Sequence, residues 1–280
     1  DAVPQPHTQR IHTASASRDK TMVAIQGANH YFVGQPVLLE QAVKLCADWM
    51  RDRHGMSGQP MNPPLQSFIA GQWRDASGPE YTTHYPADGC VVAQLHAATV
   101  ADVDEAVQAA EKARLQGPWA RLRRHERAGI LHRMAAGIRE RSEELAQLQR
   151  LDNGKPISET RALVASAAGT FQFFAAACET WEDTLTPARG DYMTMSVHEP
   201  LGVVGAITPW NSPIASEAQK LAPALAAGCA VVFKPAEITP RMAIELAKIA
   251  QHAAVACGKA LGCGVAKILY YAVVYLRALL

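Results

Sequence analysis

LGVVGAITPWNSPIASEAQKLAPALAAGCAVVFKPAEITP, residues Leu201 to Pro240, holds the pattern that decides the fold. LGVVGAI (Leu201 to Ile207) is nearly all apolar and rich in β-branched residues, the composition of a strand covered on both faces. TPWNSP follows, and its two prolines forbid continuing the strand. Ile214 to Ala227 reads as a helix with Gly228 as its stop. CAVVF (Cys229 to Phe233) is a second buried strand, KPAEITP a second loop, and Arg241 to about Ala250 a further helix. Strand, loop, helix, strand, loop, helix is a βαβα unit, whose crossover is expected to be right-handed and parallel. The fold class expected is α/β.

Parallel strands send their carboxyl ends to one edge, so the loops Thr208 to Pro213 and Lys234 to Pro240 should lie side by side there. In open α/β sheets that edge is where ligands bind. One loop offers Trp210 and Asn211, the other Lys234 and Glu237. A cation and a carboxylate three positions apart suit a ribose, since Lys donates to one hydroxyl and Glu accepts from another. The Asn211 amide, close to prolines on both sides, has the chemistry to donate to a developing oxyanion. By chemistry alone Lys234 and Glu237 read first as a solvated charge pair, and Asn211 as a turn asparagine satisfying its own backbone.

Upstream, Ser67 to Trp73 is a strand candidate followed by a Gly78-Pro79 turn. Thr99 opens a helix with Asp102 three residues later, a capping-box start, and Val103, Ala106, Val107 and Ala110 give it an apolar face. Glu126 to Leu151 reads as one long helix ending at Asn153-Gly154, with Pro156 beyond. Ser158 is the cap expected for the next helix, running to about Trp181. The arginines between Arg121 and Arg127 read as a solvated helix start rather than an anion site.

Before Leu65 the composition changes. Asp1 to Lys20 is polar and reads as loop or disorder, Thr21 to Ile25 as a short strand, and Leu38 to Arg51 as a helix with Leu39, Val43, Ala47 and Met50 on one face. HGMSGQPMNPP (His54 to Pro64) is a linker by its glycine and proline content. The expected domains are therefore residues 1–54, a linker over 55–64, an α/β domain over 65–250 and a distinct tail over 251–280.

The 280 residues are 49% hydrophobic and 19% charged, enough apolar material for a sizeable core. A net charge of +1 gives no electrostatic case for nucleic acid or a membrane surface. Val265 to Leu280, the longest apolar stretch, is interrupted by Lys267 and Arg277 and is too short to span a bilayer. The six cysteines form no CxxC pair, so no metal site and no disulfide scaffold is expected, and a reducing cytoplasm is the default.

EPLGVVGAITPWNSPI (Glu199 to Ile214) and VVFKPAEITP (Val231 to Pro240) closely resemble the aldehyde dehydrogenase superfamily. The likeness extends through KLAPALAAG (Lys220 to Gly228), LDNGKPISE (Leu151 to Glu159) and FIAGQWRDASG (Phe68 to Gly78), covering roughly Leu65 to Ala250. The resemblance implies a partial Rossmann-like parallel sheet of the cofactor-binding domain. It implies that Asn211 stabilises an oxyanion and that Lys234 and Glu237 bind the adenosine ribose. It also implies that Ile207, Thr208 and Trp210 line the cofactor crevice. Glu237 disfavours a 2′-phosphate by charge repulsion, so NAD is expected, with NADP as the alternative. The implied substrate is an aldehyde, oxidised to a carboxylic acid, and the implied assembly a homo-oligomer.

In that family a thiolate attacks the aldehyde, hydride passes to the cofactor, and a Glu base aids hydrolysis of the thioester. The family's glycine turn, ELGGK and GQxC segments should follow Ala250. HAAVACGKALGCGVAKILYYAVVYLRALL (His252 to Leu280) stands there instead, with Cys257 and Cys263 in the wrong context. The expectation is a chain without the nucleophile and the base, a fragment with at most partial dinucleotide binding, its tail a frameshift or truncation product. Cys229 reads as core. IQGANHYFVGQPVLLEQAVKLCADWM (Ile25 to Met50) resembles the carboxyl end of an α/β-hydrolase, with His30 at the triad histidine, although the chain has no GxSxG elbow.

Overall fold

Alternation of apolar runs with proline- and glycine-bearing loops sets the order of elements. A computed structural model describes residues 25–27, 34–54, 65–187, 190–261 and 271–273. The strand expected over Thr21 to Ile25 lies outside these except for Ile25, as do His30, Cys263, and the linker after His54. Two compact units are present: residues 1–57 with 87–89, and residues 58–86 with 90–280.

In the first unit the described element is helix α1 (Pro36–His54). Gln35 Nε2 donates to Gly27 O at 2.8 Å, and Lys44 pairs with Asp48 one turn on at 2.6 Å. Leu39 and Val43, expected on an apolar face, are 45% and 55% exposed. Amphipathic spacing formed this helix, yet these two side chains stay in solvent.

The second unit opens with two antiparallel hairpins, β1 (Ser67–Ile69) with β2 (Gln72–Arg74) and β3 (Glu80–His84) with β4 (Val91–His96). The single strand expected over Ser67 to Trp73 is therefore split. Ala70 and Gly71 both have positive φ, 53° and 79°, as the tight two-residue hairpin turn requires. An Ala-Gly pair is a weaker turn signal than Asn-Gly, which is why the apolar run concealed it.

Helix α2 (Val100–Gln116) starts as expected: Thr99 accepts from the Asp102 amide, and Asp102 accepts from the Thr99 amide. Its buried face is Asp102, Ala106, Ala110 and Ala113, whereas Val107 is 43% exposed. After the short α3 (Pro118–Arg121), the helix expected as one piece is two, α4 (Arg124–Glu140) and α5 (Ser142–Asn153). The break is at Arg141, which leaves helical geometry (φ −104°, ψ 20°). Its guanidinium binds Glu144 and Glu245, each at 2.5 Å, and this second, distant partner is a tertiary contact no local pattern encodes. α5 ends on left-handed Gly154 (φ 73°), a conformation glycine adopts without a Cβ clash. α6 (Ile157–Thr180) follows directly from Pro156, so Ser158 lies inside its first turn and is not the cap.

α6 packs against α4, α5 and α7 (Pro213–Ala226). Ile130, Leu131, Met134, Leu145, Phe171 and Ile214 are fully buried between them. β5 (Thr184–Leu185) and β6 (Met195–Ser196) pair as a small antiparallel arm that exposes Leu185, Tyr192, Met193 and Met195. The arginines at the α4 entry are structural. Arg124 donates to Trp181 O and pairs with Asp183, while Arg127 donates to Leu122 O and Ala226 O.

The decisive unit forms as read. β7 (Val203–Ile207), α7, β8 (Ala230–Lys234) and α8 (Arg241–Leu261) are followed by β9 (Tyr271–Val273), giving a parallel sheet in the order β7-β8-β9. The fold is α/β. α8 runs eleven residues past Ala250, and β9 lies in the tail to which the sequence assigned no strand. One expectation fails. β7 is not covered on both faces: of its residues only Ala206 is buried, and Ile207 is 71% exposed. It is an edge strand of this sheet, while central β8 buries Ala230, Val231 and Phe233.

Candidate functional site

Parallel pairing aligns the two strands residue for residue, from Val203 beside Ala230 to Ile207 beside Lys234. The ladder runs one step further, because the Thr208 amide donates to Lys234 O at 3.2 Å. Both expected loops therefore leave the sheet from adjacent positions at one edge.

Lys234 ends β8 and turns its ammonium back onto its own loop. Nζ donates to Glu237 Oε1 at 2.6 Å and to Pro235 O at 3.3 Å. The two side chains are 19% and 30% exposed, enough for either to exchange its partner for a ligand group. A short turn in which the Thr239 amide donates to Ala236 O at 3.2 Å presents Glu237 beside Lys234. On the neighbouring loop Asn211 is exposed and Trp210 is 53% exposed, so Trp210 is not a core residue here. Thr208 is buried with its hydroxyl unpartnered. Ile207, Thr208, Lys234 and Glu237 are thus brought to one edge, with Trp210 and Asn211 on the loop that leaves it. Cys229 is buried at the entry to β8, and Cys178 is buried with Sγ donating to Arg124 O and Ala226 O at 3.3 Å.

A buried polar cluster was not foreseen. The last turn of α5 carries Gln149 and Asp152, 0% and 3% exposed. Gln149 Oε1 accepts from the Ile214 amide at 3.2 Å, and Asp152 Oδ2 accepts from the Arg241 amide at 3.0 Å. Burial pushes the Asp152 carboxyl up to about 7, opposed by the Arg241 charge and amide. Glu217, one turn into α7, is fully buried with both carboxyl oxygens unpartnered. Burial first, and the Asp152 charge second, push its carboxyl well above the ordinary range. Two signals were available in the sequence. Asp152 stands at a helix C-terminus, where negative charge is unfavourable. Glu217 interrupts the apolar stripe of Ile214, Leu221 and Leu225.

A sequence profile of the aldehyde dehydrogenase family matches residues 73–260. DhaS of Bacillus subtilis (strain 168), named among the aldehyde dehydrogenases, is 41% identical over 204 residues, which cover 69% of this chain and 41% of that protein. The crystal structure of an NAD-dependent aldehyde dehydrogenase from Sinorhizobium meliloti superposes with a TM-score of 0.69 at 32% identity, over 76% of this chain and 41% of that one. The NAD+ complex of an aldehyde dehydrogenase from Bacillus cereus gives 0.70 at 34% identity, over 77% and 42%. The chain thus spans about two fifths of the length of each of these relatives.

Proposed function

Since the chain belongs to the aldehyde dehydrogenase family, we propose that its two sheet-edge loops hold NAD for the oxidation of an aldehyde to a carboxylic acid. The observation that carries this reading is the Lys234–Glu237 pair at the end of β8, joined to β7 through the Thr208 amide. It presents one donor and one acceptor, partly open to solvent, as two neighbouring ribose hydroxyls require. When bound, the nicotinamide cofactor accepts the hydride. The chain's residues hold and orient it: Lys234 and Glu237 orient the adenosine ribose, and Ile207, Thr208 and Trp210 line the crevice. The Asn211 amide donates to the substrate oxygen as negative charge develops there. Glu237 repels a 2′-phosphate, which favours NAD over NADP.

No nucleophile is assigned within the described residues. Cys178 and Cys229 are buried in packed elements, and Cys178 donates to two carbonyls. A second reading follows: residues 65–250 are a dinucleotide-holding part of the enzyme, and this chain alone turns over no aldehyde. The exposed apolar side chains of the β5–β6 arm support a homo-oligomer, and the thiols of Cys46, Cys178 and Cys229, which form no disulfide, suit the cytoplasm. Residues 1–54 we assign to a hydrolase-like tail; the long helix α1 after His30 supports this, and ester cleavage lost in His30→Ala would give it function.

The experiment is titration of the chain with NADH, followed by fluorescence, beside Glu237→Ala and Lys234→Ala. Binding weakened about 10- to 100-fold in both variants is expected, the loss of a hydrogen bond to a charged group. Equal binding in all three sinks the assignment of the pair. Aldehyde-dependent NADH formation by the chain would sink the second reading.

A further inference from the structure

We propose that Gln149 and Asp152 are positioning residues, by which the last turn of α5 fixes the far ends of both cofactor loops. The first amides of a helix have no partner within it and need an acceptor from elsewhere. Each loop runs directly into a helix, Thr208 to Pro213 into α7 and Lys234 to Pro240 into α8. Ser212, at the α7 entry, makes no side-chain cap. Pro240, at the α8 entry, has no side-chain acceptor.

Both needs are met from α5. Gln149 takes the Ile214 amide and Asp152 takes the Arg241 amide, from side chains three positions apart and fully buried. Residues at that spacing stand about 5 to 6 Å apart on one helix face. One rigid turn therefore spaces the two helix starts. The near ends of the loops are already fixed to each other by the ladder from Ile207 and Thr208 to Lys234. Each loop is pinned at both ends, and the α5 anchor is the part that lies outside the βαβα unit. A ligand spanning both loops depends on their separation, and displacement by about 1 Å is enough to cost a positioned reaction on the order of a hundredfold in rate.

This inference rests on the dinucleotide reading for its binding readout only. The test compares the whole chain with Gln149→Met, Asp152→Ala and Asp152→Asn, the last keeping an oxygen to accept from Arg241. NADH affinity is measured where circular dichroism shows each variant fully folded. Amide exchange is followed at Trp210, Asn211 and Ser212, at Ala236 to Thr239, and in α4 as reference. Expected are a loss of NADH affinity of about tenfold or more in Gln149→Met and Asp152→Ala, with Asp152→Asn near the parent. Exchange should quicken in the first loop for Gln149→Met and in the second for Asp152→Ala, beyond any change in α4. If Asp152→Ala does not fold, Gln149→Met carries the same test on its own loop. NADH affinity unchanged in folded variants overturns the proposal, as does loop exchange that changes no more than α4. A parent that binds no NADH, with loop exchange still responding, would sink the dinucleotide reading and leave the positioning role standing.

Discussion

Asp102 and Asp152 are the same residue doing the same task at two helix starts, and their carboxyls are shifted in opposite directions. Asp102 sits at the entry of α2 and accepts from Ser77 N, Ser77 Oγ, Thr99 N and Thr99 Oγ1 at 2.8 to 3.1 Å. Burial acts to raise its carboxyl, but these donors outweigh it and hold Asp102 below the ordinary aspartate range. Asp152 accepts the single Arg241 amide, its Oδ1 has no partner, and burial drives it up to about 7. The number of donors against the depth of burial, not the residue type, decides which carboxyl keeps its charge. The first is a local stabiliser; the second is costly, and is retained where two loops must be spaced.

The largest effect expected is from Asp152→Ala, which strips the α8 amide of its acceptor and removes the carboxyl group whose charge is coupled to the buried Arg241. About 3 kcal/mol should be lost, a drop in melting temperature of about 6 to 12 °C. A loss no greater than that of Asp102→Ala would break the contrast between the two sites.

The pH responses should have opposite signs. A carboxyl raised in the fold holds a proton that the unfolded chain releases, so its stabilisation is complete below the unfolded value and disappears as pH rises. For Asp152 the window runs from about pH 4 to about 7, and Glu217 adds to it from about 4.5 upward. Asp102 is lowered, so its contribution is present above about pH 4 and disappears as pH falls below that. Melting temperatures measured from pH 4 to 8 should fall with rising pH through the upper window. Glu217→Gln should flatten the slope by a few degrees, on the scale of about 1 kcal/mol. A slope unchanged in Glu217→Gln would remove Glu217 from the cluster.

Thr99→Ala removes half of the reciprocal cap at α2 and should cost about 1 kcal/mol in denaturant unfolding, leaving NADH affinity untouched. The smallest effect on stability belongs to the Lys234–Glu237 pair: Lys234→Met should change it by less than about 1 kcal/mol, as for other partly exposed pairs. A larger loss would mean that the pair serves the fold rather than a ligand.

The Thr99–Asp102 cap was legible because its two residues are three positions apart, within reach of any local pattern, whereas the Ser77 donors 25 positions away were not. Also legible were the β7–α7–β8 order, the Gly154 exit and the site loops, each set by an apolar run ended by proline or glycine. The hairpin turn at Ala70-Gly71 was hidden because its residues signal turns weakly. The break at Arg141 was hidden because one of its two partners, Glu245, lies 104 residues away.

Strand and helix periods, the spacing of Lys234 and Glu237, and the parallel edge that places both loops together came from the sequence, since each depends on neighbours along the chain or on one crossover. Tertiary structure alone decided that Asp152 reaches the Arg241 amide across 89 positions and Gln149 the Ile214 amide across 65. It also decided that burial and the Asp152 charge raise the Glu217 carboxyl well above its ordinary range and that β7 keeps one side open. Those outcomes depend on which surfaces meet and how much water they exclude, and burial of that kind is a property of the packed fold rather than of any segment.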